Sequence, residues 1–221
     1  MNLPAELLPA LLTWLGWLLL APLAAWTLWT APWRLLHRNL LEPVFAAAVL
    51  LTGGLWTMQV GAQAGLGLHF LGSSALVLVF GARLALAASL LALLALAALG
   101  IYDWVALGVN GLIGAALPVW LAHHLHLRIE HLFPRHYFVY VLVSAHFASM
   151  LALAAAALAG AALLWLTGIY PVDRIVNDYL VFLPVAMLPE GFLNGAIITM
   201  LTAFKPEWVR SFDDRDYLDG K

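Results

Sequence analysis

The sequence predicts an all-α integral membrane protein of about seven transmembrane helices, and three observations carry that reading. Of the 221 residues, 64% are hydrophobic and only 10% are charged, whereas a soluble domain is about a quarter charged. The apolar residues gather in runs comparable to the roughly 20 residues that a helix needs to cross a bilayer. The lysines and arginines sit between the runs, and they favour alternate gaps.

Taken in order, the runs are Leu7–Trp29, Val44–Val60, Gly67–Ala82, Leu84–Ile101, Val105–Ala122, Tyr137–Thr167 and Tyr179–Phe204. The first is not a secretory signal peptide: it lacks a basic start and is longer than the usual apolar stretch of one. Met1 is expected to be retained, because Asn2 is too bulky for routine removal of the initiator. The sixth run is about 30 residues, or about 45 Å of helix. Its only interruption is Gly160, so it reads as one tilted or protruding helix rather than two. Leu/Ala tracts such as Ala85–Leu99 and Leu151–Leu164 read as packing helix. Residues 1–204 thus form a single transmembrane domain and residues 205–221 a cytoplasmic C-terminal tail.

Charge sets the expected orientation. Arg34 and Arg38 fall in the first gap, Arg83 in the third, and Arg128 and Arg135 in the fifth; Lys205, Arg210, Arg215 and Lys221 follow the last run. If seven spans alternate, Arg174 stands alone on the other side. The positive-inside rule then places the N-terminus outside and the C-terminus in the cytoplasm of a bacterial inner membrane. The chain has no cysteine, which excludes disulfides, thiolate zinc sites and thiol chemistry. No nucleic-acid motif or basic aromatic surface is present.

Function is sought in the polar groups that an apolar run should not hold idly. Glu190 lies deep in the last run with Pro189 and Gly191 beside it, so a kinked helix is expected, with Glu190 and Asn194 four apart on one inward face. Glu190 reads either as a latch accepting hydrogen bonds from a neighbouring helix or as a coupling carboxylate. The latch is preferred, since no second intramembrane charge is evident. Asn110, among the glycines of Leu107-Gly-Val-Asn-Gly-Leu-Ile-Gly114, reads as interhelical glue. His69 follows the glycine-rich stretch Gly61-Ala-Gln-Ala-Gly-Leu-Gly67 and opens the third run, where a neutral imidazole can ligate a transition metal; a packing histidine is the plainer alternative. His123, His124, His126, His131 and His136 crowd the loop after the fifth run. They read as a loose cytoplasmic metal tract, or as the solvated face of an amphipathic helix. His146 reads as a core histidine.

In order along the chain, Gln59, a glycine-rich link, Leu68-His-Phe-Leu-Gly72, a hairpin turning at Asp103, Leu107-Gly-Val-Asn110, and Pro189-Glu-Gly191 with Thr199 downstream resemble the M-type substrate-binding permeases of energy-coupling-factor cobalt and nickel importers, the CbiM/NikM family. Leu132–Tyr140 and the tail Lys205–Tyr217 are similar to an uncharacterised bacterial branch. The resemblance implies a six-helix core of the energy-coupling-factor substrate-binding type plus an N-terminal helix. It implies a metal site at the free amino terminus, which maps onto Met1, Asn2 and His69. The family starts Met-His-Ile where this chain has Met-Asn-Leu, and an amide is a far poorer ligand than imidazole. Gln59, Gln63 or Met58 is then a candidate additional donor, or the substrate differs.

The function expected on this basis is capture of a cobalt- or nickel-like cation from outside, as substrate rather than as a bound cofactor. A transmembrane coupling subunit and two ATPase subunits are the implied partners; the chain itself has no Walker-type loop. The alternatives are a stand-alone carrier or channel gated by Glu190 and a scaffold that has lost metal binding. With no paired nucleophile and base and no His-Glu-x-x-His, an intramembrane hydrolase ranks last and no enzyme activity is expected.

Overall fold

The computed structural model describes residues 2–61 and 63–218. A short 3₁₀ turn, Ala5–Leu7, leads into α1, Ala10–Thr30. Then come α2, Trp33–Arg38; α3, Glu42–Thr57; α4, Ser73–Phe80; and α5, Ala82–Ala98. Helix α6 covers 107–132, α7 is Tyr137–Leu166, α8 Val172–Asp178, α9 Leu183–Phe204 and α10 Asp214–Tyr217. Among the described residues the only β pairing is an isolated antiparallel bridge, Val60 to Leu68. The stretches Ala10–Arg38, Tyr137–Leu166 and Val172–Phe204 are long and apolar enough to cross a membrane on length and composition; Glu42–Thr57 and Ala82–Ala98 are shorter apolar helices.

Local sequence explains most boundaries. Pro9 and Pro171 precede α1 and α8 in extended conformation, where a missing N–H costs nothing. Helices α5 and α7 end in the same way, with Gly100 and Gly168 at positive φ. The residue after each glycine bonds back to Leu96 and Leu164 respectively, closing the helix with its last carbonyls satisfied. Helix α6 contains a π-helical stretch, Leu112–Ala116, just before Pro118. Proline offers no N–H to the carbonyl four residues back, and a widened turn absorbs the loss. A second π stretch, Tyr140–Phe147, lies inside α7. Helix α9 runs without a break through Pro189.

The third apolar run departs from expectation. Gly67–Ala82 reads as a span, yet it holds one short helix, Ser73–Phe80, about 12 Å long at 1.5 Å per residue, and ends at the first residue of α5. The residues before it are held extended by the Val60–Leu68 bridge and turn at Gly72, whose φ is 68°. All eight residues of α4 are buried, and it packs against α5, α6, α7 and α9. Such a short buried helix persists because side chains and backbone from elsewhere satisfy both ends. Glu190 and Asn194 of α9 take N–H groups at its start. At its end the carbonyls of Leu78, Val79 and Phe80 accept from Ser211 N–H, Arg210 N–H and the Arg210 guanidinium.

The residues after Phe204 therefore pack on the bundle. Val209, Phe212 and Tyr217 are buried, Tyr140 Oη lies 2.7 Å from Ser211 Oγ, and Tyr217 Oη donates to Glu130 at 2.9 Å. Arg135 and Asp216 close the contact with an ion pair. Helix α6 also reaches ten residues past Ala122, so His123, His124, His126 and His131 lie on a helix rather than in a loop.

Candidate metal-capture site

The chain start is threaded into one end of the bundle. Asn110 on α6 is 2% exposed. Its Oδ1 accepts the Leu3 N–H at 2.8 Å, and its Nδ2 donates to the Leu3 carbonyl at 3.0 Å. One side-chain amide thus satisfies both backbone groups of a residue that is itself fully buried. Asp103 Oδ2 accepts the Ala5 N–H at 2.9 Å, and Asn2 Nδ2 donates to the Ile101 carbonyl at 3.3 Å. Asn110 serves the amino-terminal segment here rather than a neighbouring helix. Met1 lies outside the described residues.

His69 sits at the same end: Leu3 shares an apolar cluster with Leu66 and Leu68, the residues flanking Gly67 just before it. The imidazole is 5% exposed, with its ring 5.6 Å from that of Trp56. Nδ1 is 3.0 Å from the Phe70 carbonyl. A carbonyl only accepts, so Nδ1 carries the hydrogen, and in the neutral imidazole the lone pair is on Nε2. That tautomer suits ligation through Nε2.

Behind His69 the loop is clamped. Glu190, fully buried, accepts from Leu71 N–H at 2.9 Å through Oε2, and through Oε1 from Gly72 N–H at 3.0 Å and Asn194 Nδ2 at 2.8 Å. Asn194 Oδ1 takes the Ala75 N–H at 2.9 Å, and its Nδ2 also donates to the Glu190 carbonyl. The two side chains lie one turn apart on the inward face of α9, as their spacing predicts. Glu190 thus holds the two residues that lead into α4, and Asn194 takes the N–H of the third residue of that helix. Both Glu190 oxygens are thereby directed at the loop that carries His69.

A cavity of roughly 530 Å³ opens beside His69, lined by Met58, Tyr179 and Pro189 among mostly apolar residues. Met58 thus reaches the same cavity as His69. Gln59 is exposed and lies across Gly67, where any side chain would collide with its amide. Gln63 is half-buried in the turn before the loop, its carbonyl accepting Leu66 N–H. Asn2 Oδ1, Trp56 Nε1 and Tyr179 Oη are buried with no hydrogen-bond partner among the described residues. The roles of Asp103, Trp56 and Tyr179 were not legible beforehand: Asp103 reads only as a turn residue, and aromatic residues are common in such runs.

The histidine tract lies at the other end of α6, about 20 Å from Asn110 along the axis. His124 Nδ1 bonds to the Trp120 carbonyl, while His126 is buried with Nδ1 3.2 Å from Ser144 Oγ. Among the described residues no three His, Cys, Asp or Glu side chains converge where they could hold a metal. His136 instead caps α7, its Nδ1 accepting the Phe138 N–H. His146 packs beside Gly191 and Phe192.

The structure is thus a bundle of apolar helices in which residues 2–5 are held beside a clamped histidine loop, and the family to which it belongs is one of membrane transport proteins rather than enzymes. The chain belongs to the CbiM family: the family model for the cobalt uptake substrate-specific transmembrane region matches residues 2–208. It is similar in structure to a truncated transition metal transporter, with a TM-score of 0.76 and 19% identity over 92% of this chain and 99% of that one. A second transition metal transporter aligns with a TM-score of 0.74 and 19% identity, covering 92% of this chain and 93% of that one. At this identity the likeness is one of fold. No curated protein matches the chain.

Proposed function

We propose that this protein is the substrate-capture subunit of an energy-coupling-factor importer for a divalent transition-metal cation. The observation that carries the proposal is the pinning of Leu3 by Asn110. Two hydrogen bonds to a buried amide hold Leu3 in the bundle, at the end where His69 sits. In this reading the ligands are the Met1 amine, the residue-2 backbone nitrogen and His69. The cation is substrate, bound from outside and released to the cytoplasm, with the N-terminus external and the C-terminus cytoplasmic in a bacterial inner membrane. A transmembrane coupling subunit and two ATPase subunits drive the transport.

Asn2 sets the selectivity. Without an imidazole at position 2, the site holds cobalt and nickel less tightly than a histidine-bearing site does. Met58, on the wall of the adjacent cavity, offers a soft thioether to a softer ion. The carrier reading is disfavoured because both Glu190 oxygens are engaged with backbone N–H groups of the loop. The test is affinity for Co²⁺ and Ni²⁺ in the purified protein, with and without Asn2→His. Asn2→His is expected to tighten binding by at least about tenfold, since one good ligand is worth more than the 1.4 kcal/mol that tenfold represents. Equal affinity in both proteins would remove residue 2 from the site. Co-purification of an ATPase separates the importer from a stand-alone carrier.

A further inference from the structure

At the end of the bundle opposite His69, two cavities adjoin and share Ala82, Arg83 and His123. The first, roughly 390 Å³, is polar: Arg83, Arg210, His123 and His126 line it, and no carboxylate does. The second, roughly 550 Å³, is an apolar groove between α1, α5 and α6, walled by Leu23, Leu86, Leu112 and Ala116. Trp26 and Trp120, each more than half exposed, stand on its flanks. From this continuity of a cationic pocket with an apolar groove, we propose a binding site for one anionic phospholipid, phosphate on Arg83 and Arg210 and an acyl chain in the groove.

The arginines are poised for an anion. Among the described residues neither has a carboxylate in salt-bridge range. Arg83 donates to the Thr30 carbonyl at 3.2 Å and stacks 5.2 Å from the Trp26 ring, and Arg210 donates to the Phe80 carbonyl at 3.3 Å. Each guanidinium has five N–H donors, so donors remain for a phosphate. Glu130 lies 3.8 Å from His126 Nε2 and already accepts from Tyr217.

A second observation comes from the groove itself. Tryptophans on the rim match the depth at which indoles settle in a bilayer. A free phosphate accounts for the arginines but not for the apolar groove that adjoins them.

The test is native mass spectrometry of the full chain in detergent, offered equal phosphatidylglycerol and phosphatidylcholine. The wild type is expected to retain one phosphatidylglycerol in at least about tenfold preference, as befits a charge-assisted pair. Arg83→Gln with Arg210→Gln abolishes the preference, while Arg83→Lys keeps most of it. Ala116→Trp, which fills the groove, lowers retention of both lipids. Millimolar inorganic phosphate does not displace the lipid. Quenching of Trp26 and Trp120 by bromine-labelled acyl chains, read as the loss of quenching in Trp26→Phe with Trp120→Phe, reports the chain in a fully folded protein. Equal retention of the two lipids by the wild type, or displacement by phosphate alone, overturns the proposal. Retention of neither lipid also overturns it.

Discussion

A carboxylate inside a bilayer invites a proton-coupled role, and Glu190 shows how a positional role satisfies the same constraint. Its two oxygens and the Asn194 amide receive the N–H groups of Leu71, Gly72 and Ala75, so the side chains hold backbone. Glu190→Gln replaces one acceptor oxygen with a donor that faces an N–H. The variant is expected to insert normally, to lose about 1–3 kcal/mol of stability for the unsatisfied amide, and to bind metal more weakly because the His69 loop loosens. Hydrogen exchange at Leu71 and Gly72 reads this directly; protection equal to that of the wild type removes the clamp. Sequence singles out Glu190, Asn194, Asn110 and His69 as polar residues in apolar surroundings. It cannot name their partners, because those are mostly backbone groups, which every residue except proline offers alike.

The elements were legible as apolar runs and less so as helices. A run buried on all sides carries no 3.6-residue stripe, so the extended stretch before Ser73 looks the same in sequence as the helix after it. What separates them is the bridge to Val60 and the capping from α9, both set by residues distant in the chain. Small residues govern close packing instead. Helices α1 and α6 meet at Gly16 and Gly108, where a Cβ on Gly108 would overlap the backbone of Gly16 and Trp17. By contrast, a Cβ on Gly54 in α3 meets nothing within 4 Å. Gly108→Ala is therefore expected to destabilise the protein by about 1–3 kcal/mol through overpacking. Gly54→Ala should be neutral or stabilising by up to about 1 kcal/mol. Thermal unfolding of the two variants in one detergent compares them. If Gly108→Ala proves as stable as Gly54→Ala, the α1–α6 crossing is not as described.

At the scale of the whole molecule, the two ends of the bundle are built for different work. One end threads the chain start beside His69. The other gathers Arg83, Arg210 and the residues after Phe204, which close the end of α4. The proposed orientation puts the first end outside. Single cysteines at Ala64 and Glu207, both exposed, report it in this cysteine-free chain: an impermeant thiol reagent should label the first from outside and the second only after permeabilisation. Labelling of both from one side contradicts the orientation. The family likeness and the basic-residue split were both visible in sequence. The docking of the segment after Phe204 was not, since its charges read as a solvated tail while Val209, Phe212 and Tyr217 pack inward.

The central claim, that the chain start and His69 together capture the cation, is tested most directly by metal stoichiometry in four purified proteins. These are the wild type, His69→Ala, the wild type with residues added before Met1, and the triple variant His123→Ala, His124→Ala, His126→Ala. The extension turns the terminal amine into an amide nitrogen, a poor donor. The account predicts about one metal per chain in the wild type and the triple variant, and a loss of most bound metal in both His69→Ala and the extended chain. Metal retained by His69→Ala and lost from the triple variant would contradict it and move the site to the opposite end of the bundle.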